Sequence, residues 1–302
     1  VTLVTLDLEF LGHPGVIAAY AARTPGGGFV LLECGPASTL PALERALGET
    51  GLDLEALRAV CVTHVHLDHA GAAGTLARRT GAPVYVHPAG APHVADPGRL
   101  LASAARLYGD DMERLWGRTE GAPRELVRPV ADGETLDLDG LAVTALHTPG
   151  HARHHVVWVV GGTVVTGDLA GIRFAGSRHP VPPTPPPDID VGAWLDSLGR
   201  LRTVAPRGLA LAHFGVHRDV ERHLDALASR LGRWWEAALA VVREGGDLAA
   251  LAARLEALER EELEREGEPP EVARLLARIS PMTANAAGLF RTAGRALRSG
   301  GA

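Results

Sequence analysis

The chain has 302 residues, is 46% hydrophobic and carries a formal net charge of −6, enough for one large α/β domain and a smaller piece. Every cationic side chain other than His is Arg, with no Lys and no basic run, which argues against a broad surface for nucleic acid or anionic lipid. No apolar run approaches a membrane span, residues 1–6 read as a strand rather than a basic-then-apolar leader, and two cysteines make no disulfide framework, so a reducing cytoplasm is the expected location.

In chain order, strands are expected at 2–10, 16–22 and 28–33. A helix follows, with Ser38 or Thr39 as its cap and Leu40, Leu43 and Leu47 on one face. Ala59-Val60-Cys61-Val62 reads as a buried strand, residues 72–80 as a helix, and Pro83-Val84-Tyr85-Val86 as a strand closed by His87. Residues 98–118 read as one amphipathic helix with Leu100, Leu101, Ala104, Leu107 and Tyr108 apolar, and 125–168 as a strand-rich second half. The prolines of 176–190 forbid helix, leaving either a stiff connector or a fixed wall of a pocket. From about 217 the chain turns helical, over 217–244, 246–265, 270–279 and 283–297, with Trp234 and Trp235 expected to dock this part and the charges of 259–266 to form a solvated face. Two domains are therefore expected, 1–225 and a helical 226–302. The helices suit either a pocket wall or a homodimer contact, and truncation at about residue 225 is expected to impair substrate binding more than metal binding.

The strand at 59–62 runs into Thr63-His64-Val65-His66-Leu67-Asp68-His69-Ala70-Gly71. In extended chain His64 and His66 point the same way and can grip one ion, whereas a turn would aim Asp68 and His69 elsewhere. Neutral imidazole and carboxylate suit zinc, manganese or iron. Such a density of ligands is costly to leave unpaired in a core. Three later apolar runs each end in a further ligand type: Thr148-Pro149-Gly150-His151, Thr166-Gly167-Asp168, and Ala212-His213-Phe214-Gly215.

This ordered set resembles the metallo-β-lactamase superfamily over roughly residues 1–225. The resemblance implies an α/β fold, the four-layer αβ/βα sandwich, here with a C-terminal helical appendage. It implies that His64, His66 and His151 hold one divalent ion, that Asp68, His69 and His213 hold a second, and that Asp168 bridges the two. Two ions, zinc first with manganese or iron as alternatives, would lower the pKa of a shared water to give a hydroxide nucleophile. Asp68 is the expected catalytic residue, ligating a metal and orienting the nucleophile or moving its proton. The expected activity is hydrolysis of a small-molecule ester, thioester or lactone, with neither nucleic acid nor membrane as a partner.

Other residues carry weaker signals. Cys61 reads as core packing, and Cys34 lies near a strand end that approaches the site in relatives. Glu33 stands where relatives often have Asp, and the longer acid is expected to reset a hydrogen bond behind the ligands. His155 suits a supporting role, His154 should point elsewhere, and His87 reads as a cap. His13, His93, His179, His217 and His223 are expected to be surface or structural. C-terminal helices occur in glyoxalase II, but the Gly-Cys-Gly-Arg type segment of those enzymes is replaced here by Leu169-Ala170-Gly171-Ile172-Arg173-Phe174, so a glutathione thioester is not implied. The competing expectations are a mononuclear-iron oxygenase similar to the persulfide dioxygenases and, below it, a phosphodiesterase or nuclease.

Overall fold

A computed structural model describes residues 1–299; residues 300–302, the end of the expected helical region, lie outside the described residues. Short apolar runs, continuously buried in β2 and β3 as strands covered on both faces are, produce a first sheet in the order β1 (Leu3–Asp7), β2 (Ala18–Arg23), β3 (Phe29–Leu32), β4 (Leu57–Cys61), β5 (Val84–Val86), β6 (Val127–Pro129). The first three strands pair antiparallel and the last four parallel. Parallel neighbours need crossovers, supplied by α1 (Leu40–Glu49), α2 (Leu67–Ala70), α3 (Ala73–Thr80), α4 (Ala91–Ala95), α5 (Gly98–Tyr108) and α6 (Met112–Trp116).

The second sheet, read from its far edge, is β7 (Thr135–Leu138), β8 (Leu141–His147), β9 (Val156–Val160), β10 (Thr163–Gly167), β11 (Gly208–Leu211), β12 (Gly215–His217). One pair, β10 with β11, is parallel. The sheets pack face to face through alternate residues: Ala18, Tyr20 and Ala22 of β2 and Val30 and Leu32 of β3 share a buried core with Val143 and Ala145 of β8 and Val156, Trp158 and Val160 of β9. The Tyr20 hydroxyl donates to the Leu211 carbonyl at 2.6 Å, so the one polar atom of this ring is satisfied inside the core. The expected α/β sandwich is thus the observed one, and Cys61 is core packing as read.

Contacts divide the chain into two compact units. Both sheets belong to the first, made of Val1–His147, His154–Gly167 and Pro206–Arg218. The second comprises Thr148–Arg153, Asp168–Ala205 and Asp219–Ala302. It carries α7 (Val191–Thr203), α8 (Val220–Arg243), α9 (Leu248–Glu266), α10 (Pro270–Ile279) and α11 (Met282–Arg298). The boundary expected at 225 falls inside α8. No helix among the described residues is long and apolar enough to cross a membrane.

Thr39 is the N-cap residue of α1, one of the two expected, but the cap is made without its side chain: Thr39 Oγ1 donates to the Pro36 carbonyl, and Ser38 Oγ to the Leu115 carbonyl. Two local expectations are corrected. The helix expected over 98–118 breaks at Gly109, whose φ of +51° suits a residue without Cβ. The charges of 259–266 do not all face water: Glu259 and Glu262 are buried. Arg230 Nε donates to Glu262 at 2.5 Å, and the two nitrogens of His179 stand 2.9 Å from Glu259 and Glu266.

Candidate metal centre

In the sheet-bearing unit the chain stays extended after β4, so His64 and His66 fall on one side, with His64 Nε2 2.9 Å from His66 Nδ1. The Thr63 hydroxyl lies 3.0 Å from His64 Nδ1 and orients that ring from behind. His66 then opens α2, and this short turn brings Asp68 and His69 to a different set of partners, with the His69 ring 4.1 Å from that of His64. His213, just beyond β11, completes a second group: Asp68 Oδ2 lies 3.5 Å from His69 Nε2 and 3.5 Å from His213 Nε2. His213 Nδ1 faces the Val16 carbonyl at 3.3 Å, which leaves Nε2 directed at Asp68. Burial alone would raise the Asp68 carboxyl, but His69 and His213 outweigh it and hold it well below the usual carboxylate range.

Gly71 permits the close approach behind this turn. A Cβ there would lie 2.4 Å from the Leu67 carbonyl and 2.9 Å from Pro36 Cα. The 33–36 loop that it meets carries Glu33, whose Oε1 accepts the Thr63 N–H at 3.2 Å while Oε2 stands 3.3 Å from His69 Nδ1. The longer acid therefore spans from the motif strand to a motif histidine. Cys34 donates its thiol to the His69 carbonyl at 3.2 Å, and burial and the Glu33 charge push that thiol upward, away from thiolate chemistry.

The second unit holds the other two expected ligands. His151 Nε2 lies 3.2 Å from Asp168 Oδ2. His151 Nδ1 donates to the Pro183 carbonyl at 2.9 Å, which orients the ring and leaves Nε2 as the ligand-type nitrogen. The loop before it is tied to the N-cap and the middle of α7: Asp190 N–H donates to the Gly150 carbonyl at 2.8 Å, and Ser197 Oγ to the Pro149 carbonyl at 2.7 Å. The proline segment, read beforehand as connector or wall, thus also positions a histidine.

The metallo-beta-lactamase superfamily profile matches residues 13–215. The chain belongs to the metallo-beta-lactamase superfamily. Among curated superfamily proteins it is similar to the metallo-beta-lactamase fold-containing protein ST1585 of Sulfurisphaera tokodaii, at 32% identity over 59% of this chain and 69% of that one. It is 30% identical to a hydroxyacylglutathione hydrolase of Xanthomonas campestris pv. campestris over 61% of this chain and 59% of that enzyme. The crystal structure of the archaeal ST1585 superposes with a TM-score of 0.63 at 28% identity, over 76% of this chain and 86% of that one. That of the family protein TTHA1429 from Thermus thermophilus reaches 0.71 at 23% identity over 100% of this chain and 94% of that one, a likeness of fold.

The residues fit divalent metal. Ligand atoms of Asp68, His69 and His213 all lie within 4.8 Å of one another, the convergence expected of donors sharing one ion. The contrast is a third His-carboxylate group, His179, Glu259 and Glu262, where Arg230 already stands as the cation and makes short hydrogen bonds to the acid and to the Pro180 carbonyl. Of the remaining histidines in this superfamily chain, His155 is buried with its ring 5.1 Å from His64. His154 does not point elsewhere: it too is buried, 6.2 Å from His64 and 6.0 Å from His66. The pair precedes β9 in a turn, where strand alternation does not separate neighbours. His87 accepts the Ala89 N–H as a local cap, and His223 and His179 are buried structural residues.

Proposed function

We propose that the chain is a dinuclear metal-dependent hydrolase of a small ester, thioester or lactone. His64, His66 and His151 would hold one ion and Asp68, His69 and His213 the other, with Asp168 between them. The observation that supports the dinuclear reading is the Asp68–His69–His213 group, a half-buried, ionised carboxylate between two buried imidazoles, a second converging ligand set that shares no member with the His64–His66 pair. Hydrolase relatives support the reaction class: the hydroxyacylglutathione hydrolase, and an atrochrysone carboxyl ACP thioesterase of Aspergillus fumigatus at 27% identity over 40% of this chain and 26% of that one.

When bound, the ions would supply an activated water and an electrophile for the carbonyl oxygen. The chain's own part is to hold ligand nitrogens in one tautomer through the carbonyls of Val16 and Pro183, to keep Asp68 ionised, as a ligand and orienting acceptor must be, and to orient His69 through Glu33.

Elemental analysis of protein purified without added metal tests the reading. Two ions of zinc, manganese or iron per chain, with ester or lactone turnover abolished by His66→Ala or Asp168→Ala in folded protein, is the expected result. One iron per chain with oxygen consumption on a persulfide would replace it with the oxygenase reading.

A further inference from the structure

Residues 16, 18 and 20 meet residues 213, 212 and 211 in turn. The Val16 carbonyl faces His213 Nδ1 at 3.3 Å, the Ala18 N–H donates to the Ala212 carbonyl at 2.8 Å, and the Tyr20 hydroxyl donates to the Leu211 carbonyl at 2.6 Å. Ala18 and Tyr20 belong to β2 and are placed by its pairing with β1 and β3. Val16 lies before the strand, in the loop of residues 8–17. The acceptor that orients His213 is therefore as fixed as that loop is.

Asp7 closes the loop from its base. It ends β1 opposite Ala18. Its Oδ1 accepts the Glu9 N–H at 2.9 Å and its Oδ2 the Gly15 N–H at 2.8 Å. One carboxylate thus holds both ends of the excursion, and the Leu8 N–H donates to the Ile17 carbonyl at 3.0 Å beside it. Between these ties Glu9 and Leu11 take left-handed φ values of +44° and +55°, a conformation that residues with a Cβ keep where their surroundings impose it. Gly12 and Pro14 at the tip are exposed, whereas Val16 and Ile17 are buried. Without the two bonds to Asp7 the loop is free to relax, and Val16 is the residue next to one of them.

We propose that Asp7 is a positioning residue for His213: by clasping residues 9 and 15 it fixes the Val16 carbonyl, and through that oxygen the tautomer and direction of the His213 ring. In placing an ion at Asp68, His69 and His213, this rests on the dinuclear reading. An ordinary turn residue would contribute to the stability of the loop and no more. A positioning residue acts selectively, on one ligand and on the ion that ligand serves.

The test uses the full chain with zinc and isotope-labelled histidine. Magnetic resonance follows the exchange of ring Nδ1 protons with solvent, which reports local opening. His151, whose Nδ1 proton is held by the Pro183 carbonyl, is the internal reference. Asp7→Ala should speed exchange at His213 about tenfold, leave His151 unchanged, and release one of the two zinc ions to a competing chelator about tenfold more readily, the lower end of what partners of a ligand typically contribute. Asp7→Asn, which keeps one acceptor oxygen, should fall between wild type and Asp7→Ala, and it carries the same comparison should Asp7→Ala fail to fold. Unchanged exchange at His213 in the folded variants would overturn the proposal. Equal acceleration at His213 and His151 would overturn it too, by making Asp7 a residue of general stability. Uptake of a single zinc by the wild-type chain would overturn the dinuclear reading instead, while exchange at His213 still decides the role of Asp7.

Discussion

Glu33 Oε2 stands 3.3 Å from His69 Nδ1 while Oε1 receives the Thr63 N–H at 3.2 Å, so one buried carboxylate ties a motif histidine to the strand that delivers the motif. A carboxylate behind an imidazole orients the ring and raises its basicity as a ligand, and such partners typically matter 10–100-fold to metal affinity. Glu33→Gln is therefore expected to weaken retention of one ion by about that factor, read by chelator competition, with circular dichroism unchanged. Equal affinity in the variant would remove Glu33 from the support of the site.

Arg230 is the cation of a buried network in the helical unit, bonded to Glu262 at 2.5 Å and to Glu266 at 3.1 Å, with Glu259 at 3.8 Å. Removing it leaves buried Glu262 with Arg233 as its remaining cation and Glu259 with His179 alone. Arg230→Met should cost about 3–5 kcal/mol in urea unfolding, and adding Glu262→Leu should recover part of that loss, because removing both partners is cheaper than removing one.

Burial, and then the neighbouring His147, lower the His87 pKa to about 4. The folded state thus holds His87 neutral where the unfolded chain, near 6.5, takes up a proton. Its contribution is fully present above about pH 6.5 and is lost as pH falls toward 4. In His87→Asn the slope of stability against pH across that window should be shallower than in wild type, measured by denaturant titration at several pH values.

Gly150 has φ of +144°, and a Cβ there would stand 2.3 Å from Trp194 Cα. The clash is with backbone, so relief requires moving the loop that bears His151 or the start of α7. Gly150→Ala is expected to cost at least about 1–3 kcal/mol, seen as a lower unfolding midpoint, and to loosen metal retention together with it.

Truncation at 225 is now expected to act on metal as well as on substrate. Asn285 of α11 accepts the Thr184 N–H at 2.8 Å and holds the segment whose Pro183 carbonyl fixes His151. Metal content should fall in a soluble truncated chain; full metal loading would restrict the helices to other roles.

Much of this was legible from residue patterns. The strand-end ligands and helices α8–α11 could be read because period two, period 3.6 and the Gly-Gly and Pro-Pro breaks are local signals. The break at Gly109 was missed because the apolar stripe of α5 continues in register to Tyr108 and masks it. The burial of Glu259 and Glu262 was illegible because a run of charges looks alike whether it faces water or an Arg from another helix. Nothing in the residue pattern marks His154 and His155 as lying in and beside a turn, where neighbours are not held to opposite faces. The Glu33–His69 pair joins residues far apart in the chain, and no spacing rule connects them.

The acceptor that orients His151 is the main-chain oxygen of Pro183. Substitution at that position changes the side chain and leaves the oxygen in place, so an alanine scan would pass over it in silence. Drift in the coding sequence can reach this contact mainly through insertions or deletions that shift the path of residues 176–190. In mutational surveys, intolerance to changes in loop length beside tolerance of side-chain exchange would be the mark of such a site.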